Sequence, residues 1–247
     1  MLLVIDVGNT RTHFGLVKDG AVAAEASVPT AECGALERLD PAFLRAVRDA
    51  APRAAAFISV HPPANRALGD AVNRVTGLRP VHLGVDRPIP IANRTDEPEK
   101  VGADRLANAL AAHARAGGAC VVVDFGTAVT FDVVAADGAF LGGAIAPGLG
   151  IQGQALHEHC ALLPIAVHGR PARAIGTNTV AAMQSGLYWG AVGGARRVLE
   201  EVRREAPGPH ALIFTGGDAG FFRPHFPEAG AVVPTLTLEG IALAMRS

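Results

Sequence analysis

Three aspartates stand in settings that suit chemistry on a charged substrate. Asp6 closes an apolar run and is followed by Val7, Gly8, Asn9, Thr10, Arg11, Thr12 and His13. Asp124 closes a second apolar run and is followed by Phe125, Gly126 and Thr127. A turn made of glycine and small hydroxyl or amide residues leaves backbone N–H groups and hydroxyls bare. With no Cβ in the way, such a turn can wrap phosphate oxygens closely. A carboxylate beside it is placed to hold a cation or its water shell. The third, Asp104, belongs to Val101-Gly102-Ala103-Asp104-Arg105, which opens a helix expected to run to about Arg115. Backbone N–H groups are unpaired in a first helical turn. The helix dipole favours an aspartate there and disfavours an arginine, so the Asp104–Arg105 pair is a candidate for function. Gly102 is expected to let the chain turn tightly into this helix.

The elements that must position these groups are announced by a repeat. Laid on itself at an offset of 118 residues, the chain puts Asp6 on Asp124, Gly8 on Gly126 and Thr12 on Thr130. Asp19-Gly20-Ala21 then falls on Asp137-Gly138-Ala139. Each copy reads as a β-hairpin: a buried strand, the Asp-Gly turn, a returning apolar run and a second Asp-Gly turn. One such segment is a weak signal. Two in register point to two similar lobes facing one another.

Along the chain, strands are expected at 21–28, 55–60 and 81–83, with helices at 35–50 and 64–76. The order β-β-β-α-β-α-β describes an α/β lobe with helices on a mixed sheet. A charged, twice-bent linker, 88–98, precedes the Asp104 helix. The glycine-rich segment 142–150 signals either close backbone approach or a plain flexible loop. A helix is expected at 151–163. It contains His157-Glu158-His159-Cys160, but residues two apart do not share a helix face, and the pattern is not the H-E-x-x-H zinc motif. Gly176-Thr177-Asn178-Thr179 reads as a capped turn opening a long helix, 179–205. Its middle is thinned by Ser185, Gly186, Gly190, Gly193 and Gly194, so another helix can approach closely, and packing against its own copy in a homodimer is expected. A strand at 211–214 ends in the small-residue turn 215–220, and a strand at 232–234 and a helix at 236–246 close the chain.

Composition removes several classes. The formal net charge of −1 and the absence of a basic arm give no electrostatic footprint for nucleic acid. No apolar run of about 18 residues is free of charge, so no membrane span is expected. The N-terminus has no basic region before its apolar run and does not read as a signal peptide. Cys33, Cys120 and Cys160 are too widely spaced for a disulfide framework. Free thiols in a reducing compartment follow, hence a cytoplasmic location. Lys18 and Lys100 are the only lysines, and neither stands in a P-loop.

Taken together, DVGNT at 6–10, GADR at 102–105, DFGTAVTFD at 124–132, GGAIAPG at 142–148, GTNTV at 176–180, MQSG at 183–186, TGG at 215–217 and LTLEG at 236–240 resemble the type III pantothenate kinases nearly end to end. That family has the actin/hexokinase/Hsp70-like plan: an α/β fold of two similar ribonuclease H-like lobes, mixed sheets with flanking helices, and the nucleotide in the cleft between them. The lobes are expected at 1–115 and 116–247. The resemblance implies transfer of the ATP γ-phosphoryl group to the 4′-hydroxyl of pantothenate, the first step of coenzyme A biosynthesis. It implies that Asp6, Val7, Gly8, Asn9, Thr10, Arg11, Thr12, His13 and Thr127 bind ATP, with Asp6 near Mg²⁺. Asp124 would hold a monovalent cation, K⁺ or NH₄⁺. Gly102, Ala103, Asp104, Arg105 and Thr179 would contact pantothenate, with Asp104 as general base. The family acts as a homodimer. We further expect Arg105 to pair with the pantothenate carboxylate.

The sequence departs from the family in the linker, where a tyrosine is often found and Ile91-Ala92-Asn93 stands here, and at Val129, where a threonine is usual. Two other readings compete. One is a non-catalytic regulator of the Bvg accessory factor type, against which the presence of Asp6, Asp104 and Asp124 argues. The other is a phosphotransferase on the same plan with a different small acceptor.

Overall fold

The computed structural model describes all residues except 166–168, 209, 229 and 247. Internal packing divides the chain into two compact units. One comprises Met1–Gly118, Val134–Leu141 and the segment from Thr235 onward; the other comprises Ala119–Val133 and Gly142–Pro234.

In the first unit, β1 (Leu2–Val7), β2 (Arg11–Lys18) and β3 (Ala21–Pro29) form an antiparallel meander. Asp19 and Gly20 make the second turn with φ of 51° and 92°. Two left-handed central residues match the twist of a tight hairpin, which is why Asp-Gly serves there. Strands β4 (Ala54–Ser59) and β5 (Val81–His82) add in parallel beyond β1, giving the order β3-β2-β1-β4-β5. Both faces of this sheet are covered, so β1 and β4 read as continuous apolar runs rather than alternating ones. Leu3, Ile5 and Val7 pack with Ala55 and Phe57 against helices α1 (Pro41–Ala50) and α2 (Asn65–Thr76). Val4, Ala56 and Ile58 face the other way, toward α3 (Ala103–Ala116) and the C-terminal helix α7 (Leu236–Ala244).

Helix α7, the last element of the chain, thus packs with elements of the first half. Its Gly240 lies so near α3 that a Cβ would stand 2.0 Å from the Ala107 carbonyl oxygen. Thr237 donates its hydroxyl to the side-chain oxygen of buried Asn108 at 2.8 Å, and Glu239 receives two hydrogen bonds from Arg115 at 2.6 and 2.7 Å. These contacts fix how α3 lies on the sheet.

The second sheet repeats the plan, with Val134 and Phe140–Leu141 at its strand ends belonging to the first unit. Strands β6 (Cys120–Phe125), β7 (Ala128–Val134), β8 (Phe140–Pro147), β9 (Ala211–Thr215) and β10 (Ala231–Val232) stand in the order β10-β9-β6-β7-β8. Val121, Val123, Phe125, Val129 and Phe131 pack against α5 (Thr179–Glu205) through Met183, Leu187, Tyr188 and Leu199. Phe125 stacks on Phe222 of α6 (Ala219–Phe222), with ring centroids 4.5 Å apart. Helix α4 (Leu149–His159) begins two residues earlier than its sequence pattern predicts and ends sooner.

The repeat holds with one correction. β1 and β6 coincide at both ends under the 118-residue offset. The turns after them differ in length: the Gly8 N–H bonds the Arg11 carbonyl, whereas the Gly126 N–H bonds the Ala128 carbonyl. The second turn is one residue shorter, so the returning strands align one residue differently. Buried Phe14 therefore corresponds to buried Phe131, and Thr12 to Val129 rather than Thr130.

The glycine-rich segment 142–150 is not a plain loop. It forms most of β8 and the entry to α4. A Cβ on Gly143 would lie 1.6 Å from the Phe131 carbonyl oxygen, so the backbones touch there.

Candidate active site

In the first unit, Asp6 is the penultimate residue of β1, paired with His13 across the hairpin and with Ile58 on β4. Strand alternation puts it on the face of Val4, the face covered by α3. Beyond it the chain turns through Gly8, Asn9 and Thr10. A Cβ on Gly8 would stand 2.8 Å from the Arg11 carbonyl oxygen, so only glycine fits this turn. The Thr30 hydroxyl donates to the Gly8 carbonyl at 2.8 Å, and the Thr30 N–H bonds the Thr10 carbonyl at 2.9 Å, which braces the loop from outside. Asn9, Thr10, Arg11 and His13 are exposed, and Val7 and Thr12 are buried beneath them. Val7 and Thr12 thus support the loop, while its exposed side chains and amides are those that can meet a ligand.

Helix α3 begins beside the carboxyl ends of β1 and β4. The Val60 N–H bonds the Val7 carbonyl at 3.0 Å, and Val60 lies 3.8 Å from where a Gly102 Cβ would be. Asp104 and Asp6 therefore belong to the same end and the same face of one sheet. Gly102 has φ −57° and ψ 135°, which any residue adopts. Its expected role in a tight turn is corrected: a Cβ would stand 2.4 Å from the Asp104 carboxylate, so a larger residue would displace that carboxylate. One Asp104 oxygen accepts the Arg105 backbone N–H at 2.9 Å. Burial raises the Asp104 carboxyl above the ordinary carboxylate range, opposed by that hydrogen bond and by the Arg105 charge. The Arg105 guanidinium lies over the Phe140 ring, 5.3 Å from its centroid.

In the second unit, Asp124 is the penultimate residue of β6 and pairs in parallel register with Thr215 of β9. It faces away from the Val121–Val123–Phe125 core side. A Cβ on Gly216 would stand 2.4 Å from an Asp124 carboxylate oxygen, and the Asp218 N–H bonds the Phe125 carbonyl at 3.0 Å. The turn 216–218 and the second hairpin are therefore one assembly. Thr127 sits at the tip of that hairpin, and its carbonyl accepts the Gly148 N–H at 3.1 Å. Gly216 and Asp218 were not among the expected site residues. Their signal was available: a small-residue turn directly after the strand that a parallel sheet places beside the Asp124 strand.

Thr179 is the first residue of α5, exposed, after Asn178, whose side chain caps the helix by accepting the Ala181 N–H at 2.9 Å. The preceding chain folds back over the helix. A Cβ on Gly176 would meet the Ala182 nitrogen at 2.2 Å, and Ser185 donates to the Ala174 carbonyl at 2.6 Å. Of the expected residues, the structure gathers Asp6, the loop after it, Gly102, Ala103, Asp104 and Arg105 at one end of the first unit. Asp124 and Thr127 share the hairpin end of the second unit, and Thr179 stands at the start of its long helix.

Comparison with known proteins gives a consistent match. A family model for type III pantothenate kinase matches residues 2–201. A type III pantothenate kinase of Cereibacter sphaeroides is 38% identical over 258 residues, covering 98% of this chain and 96% of its own. That of Akkermansia muciniphila is 40% identical over 244 residues, covering 98% and 97%. Among solved structures, a protein described as a Baf family transcriptional activator from Campylobacter jejuni superposes with a TM-score of 0.63 at 19% identity, over 99% of this chain and 97% of its own. One described as a 2-dehydro-3-deoxygalactonokinase from Sinorhizobium meliloti gives 0.59 at 14%, over 100% and 98%. At those identities the likeness is one of fold.

Proposed function

The chain belongs to the type III pantothenate kinase family and is an ATP-dependent pantothenate kinase, and from that premise we propose how its residues divide the work. Asp104 is the general base. The observation that carries this is its place: part-buried at the start of α3, on the Asp6 side of the sheet, with its carboxyl pushed upward by burial. Phosphoryl transfer asks the protein chiefly for alignment and charge stabilisation. Asp104 takes the proton of the pantothenate 4′-hydroxyl as that oxygen bonds to the γ-phosphorus and ADP departs. A carboxyl raised by burial accepts that proton more readily than an ordinary aspartate.

The exposed amides and side chains of the loop after Asp6, together with Thr127, bind the ATP phosphates, with Asp6 directed to the accompanying Mg²⁺. Arg105 binds the pantothenate carboxylate, and Gly102, Ala103 and Thr179 contact the same substrate. Asp124 suits a monovalent cation: it is a hard oxygen donor, and glycines at 126 and 216 keep their own side chains off its carboxylate. K⁺ or NH₄⁺ held there supplies positive charge near the phosphates.

The active form is a homodimer through α5. Cβ atoms added to Gly186, Gly190, Gly193 and Gly194 would meet nothing within 4 Å, so their face of the helix is not packed by the described part of the chain. An apolar groove of about 990 Å³ between α4 and α5, with Leu156, Leu163, Met183 and Leu187 in its wall, adjoins that face. Light scattering is expected to give twice the chain mass at micromolar concentration; a monomer would remove this part of the proposal. Among the described residues no helix is long and apolar enough to cross a membrane. The free cysteines are consistent with a cytoplasmic enzyme, and the near-zero charge with one that has no nucleic-acid partner.

The test is ADP release with ATP, Mg²⁺ and pantothenate, run in K⁺ and again in Na⁺ alone. Turnover that needs pantothenate and falls at least about tenfold in Na⁺ is expected, a loss of roughly 1.4 kcal/mol of transition-state stabilisation. Equal rates in both salts would remove Asp124 as a cation ligand. No pantothenate-dependent turnover in either would remove the activity.

A further inference from the structure

Arg105 occupies a position that electrostatics makes unfavourable. It is the third residue of α3, where the helix dipole presents partial positive charge. Among its contacts, the guanidinium lies over the face of Phe140, 5.3 Å from ring centroid to Cζ. A ring face carries partial negative charge and attracts a cation, more strongly when water is excluded. Phe140 is fully buried, so its ring is held by its surroundings.

The backbone of Phe140 is held equally firmly. Its N–H bonds the Ala92 carbonyl at 2.8 Å and its carbonyl accepts the Arg94 N–H at 2.9 Å. These bonds come from the linker before α3 and pair Asn93 with Phe140 as a short parallel bridge. The Arg94 side chain also bonds Asp137, at the tip of the hairpin that carries Phe140. The linker therefore clamps the residue whose ring faces Arg105.

We propose that Phe140, clamped by the linker at Ala92–Arg94, is a positioning residue that holds the Arg105 guanidinium for the carboxylate of the acceptor. This rests on the assignment of Arg105 to that carboxylate. Two charged hydrogen bonds to a carboxylate demand a fixed guanidinium plane. A long side chain that must be ordered on binding loses affinity to conformational entropy. A ring that orders it beforehand lowers that cost, so Phe140 acts on acceptor affinity without touching the acceptor.

The experiment is a double-mutant cycle on KM for pantothenate, with KM for ATP measured alongside. Phe140→Leu is expected to raise the pantothenate KM about fivefold to tenfold, and the ATP KM less than twofold. Phe140→Tyr, which keeps the ring, is expected to restore the wild-type value. In an Arg105→Ala background, Phe140→Leu is expected to add nothing, because its effect passes through the missing side chain. With an acceptor whose carboxylate is reduced to an alcohol, Phe140→Leu is expected to leave KM unchanged. Additive effects in the cycle, or equal damage to both substrates' KM, would overturn the role of Phe140 and leave Arg105 in place. An Arg105→Ala variant with an unchanged pantothenate KM would instead overturn the Arg105 assignment. Should Phe140→Leu fail to fold, Phe140→Met completes the same cycle.

Discussion

Replacing Asp104 with Asn is expected to lower kcat about 10³-fold, within the range that general base catalysis contributes, in a protein that folds normally. Asn retains a carbonyl oxygen that can accept the Arg105 N–H, so the start of α3 keeps its hydrogen bond. What it loses is the ability to take a proton. The stability change has a definite sign. Burial raises the Asp104 carboxyl, so the folded state binds its proton more readily than the unfolded chain. Stability from this group is fully present below the ordinary value of 3.8 and is lost as pH rises through the higher folded value. At any pH above the folded value wild type carries the cost of an ionised, part-buried carboxylate and the Asn variant carries none. Its Tm at pH 7 is therefore expected to equal or exceed that of wild type. The acid limb of kcat/KM in wild type is expected above the ordinary aspartate range. Arg105→Met, which removes the charge that opposes the rise, is expected to move that limb higher still. An acid limb at or below 3.8, or an Asn variant that keeps more than a tenth of kcat, would refute the general-base assignment.

Gly148→Ala is expected to lower kcat/KM for ATP about 10²-fold, the scale that accompanies a displacement near 1 Å in a catalytic arrangement. Gly148 has φ −70° and ψ 168°, a conformation open to any residue. Strain in its own backbone is therefore not the cause. An added Cβ would stand 2.3 Å from the Gly126 carbonyl oxygen and 2.6 Å from that of Thr127. Both are backbone atoms of the second hairpin turn, and neither can swing aside as a side-chain end would. The methyl group must push the turn that carries Thr127, the residue of this hairpin assigned to the ATP phosphates. Asp104 lies on a different element, so the pH of the acid limb is expected to stay where it is in wild type. Steady-state kinetics over ATP concentration, with circular dichroism to confirm the fold, reads this directly. An unchanged kcat/KM for ATP in folded protein would mean that the turn does not serve the nucleotide.

The chain's chemistry was legible in its sequence to the extent that it is local. Apolar runs and the Asp-Gly turns marked both hairpins, because such runs and left-handed turns are properties of a few adjacent residues. Asp6 and Asp124 at the strand ends, and the Asn178 cap of α5, followed from the same local rules. The glycines of 142–150 left close backbone approach or a plain loop open; Gly143 and Gly148 make the close approach. Their surroundings were out of reach, since the atoms they approach belong to strand β7 and the turn before it.

Only the tertiary structure decided what depends on partners distant in the chain. That the second hairpin turn is one residue shorter is set by which carbonyl the Gly126 N–H meets. That Gly102 leaves room for the Asp104 carboxylate comes from the folded position of that carboxylate, although the sequence pattern suggested a turn. Helix α7 packs on α3 across more than a hundred residues because its apolar side matches the bare face of the first sheet, and no periodicity records which sheet a helix will choose. The pairing of Phe140 with Arg105, and of Gly216 with Asp124, arises in the same way. Local sequence specifies the elements and the reactive ends they carry; packing of their faces, which excludes water from the largest apolar area, selects the neighbours that tune them.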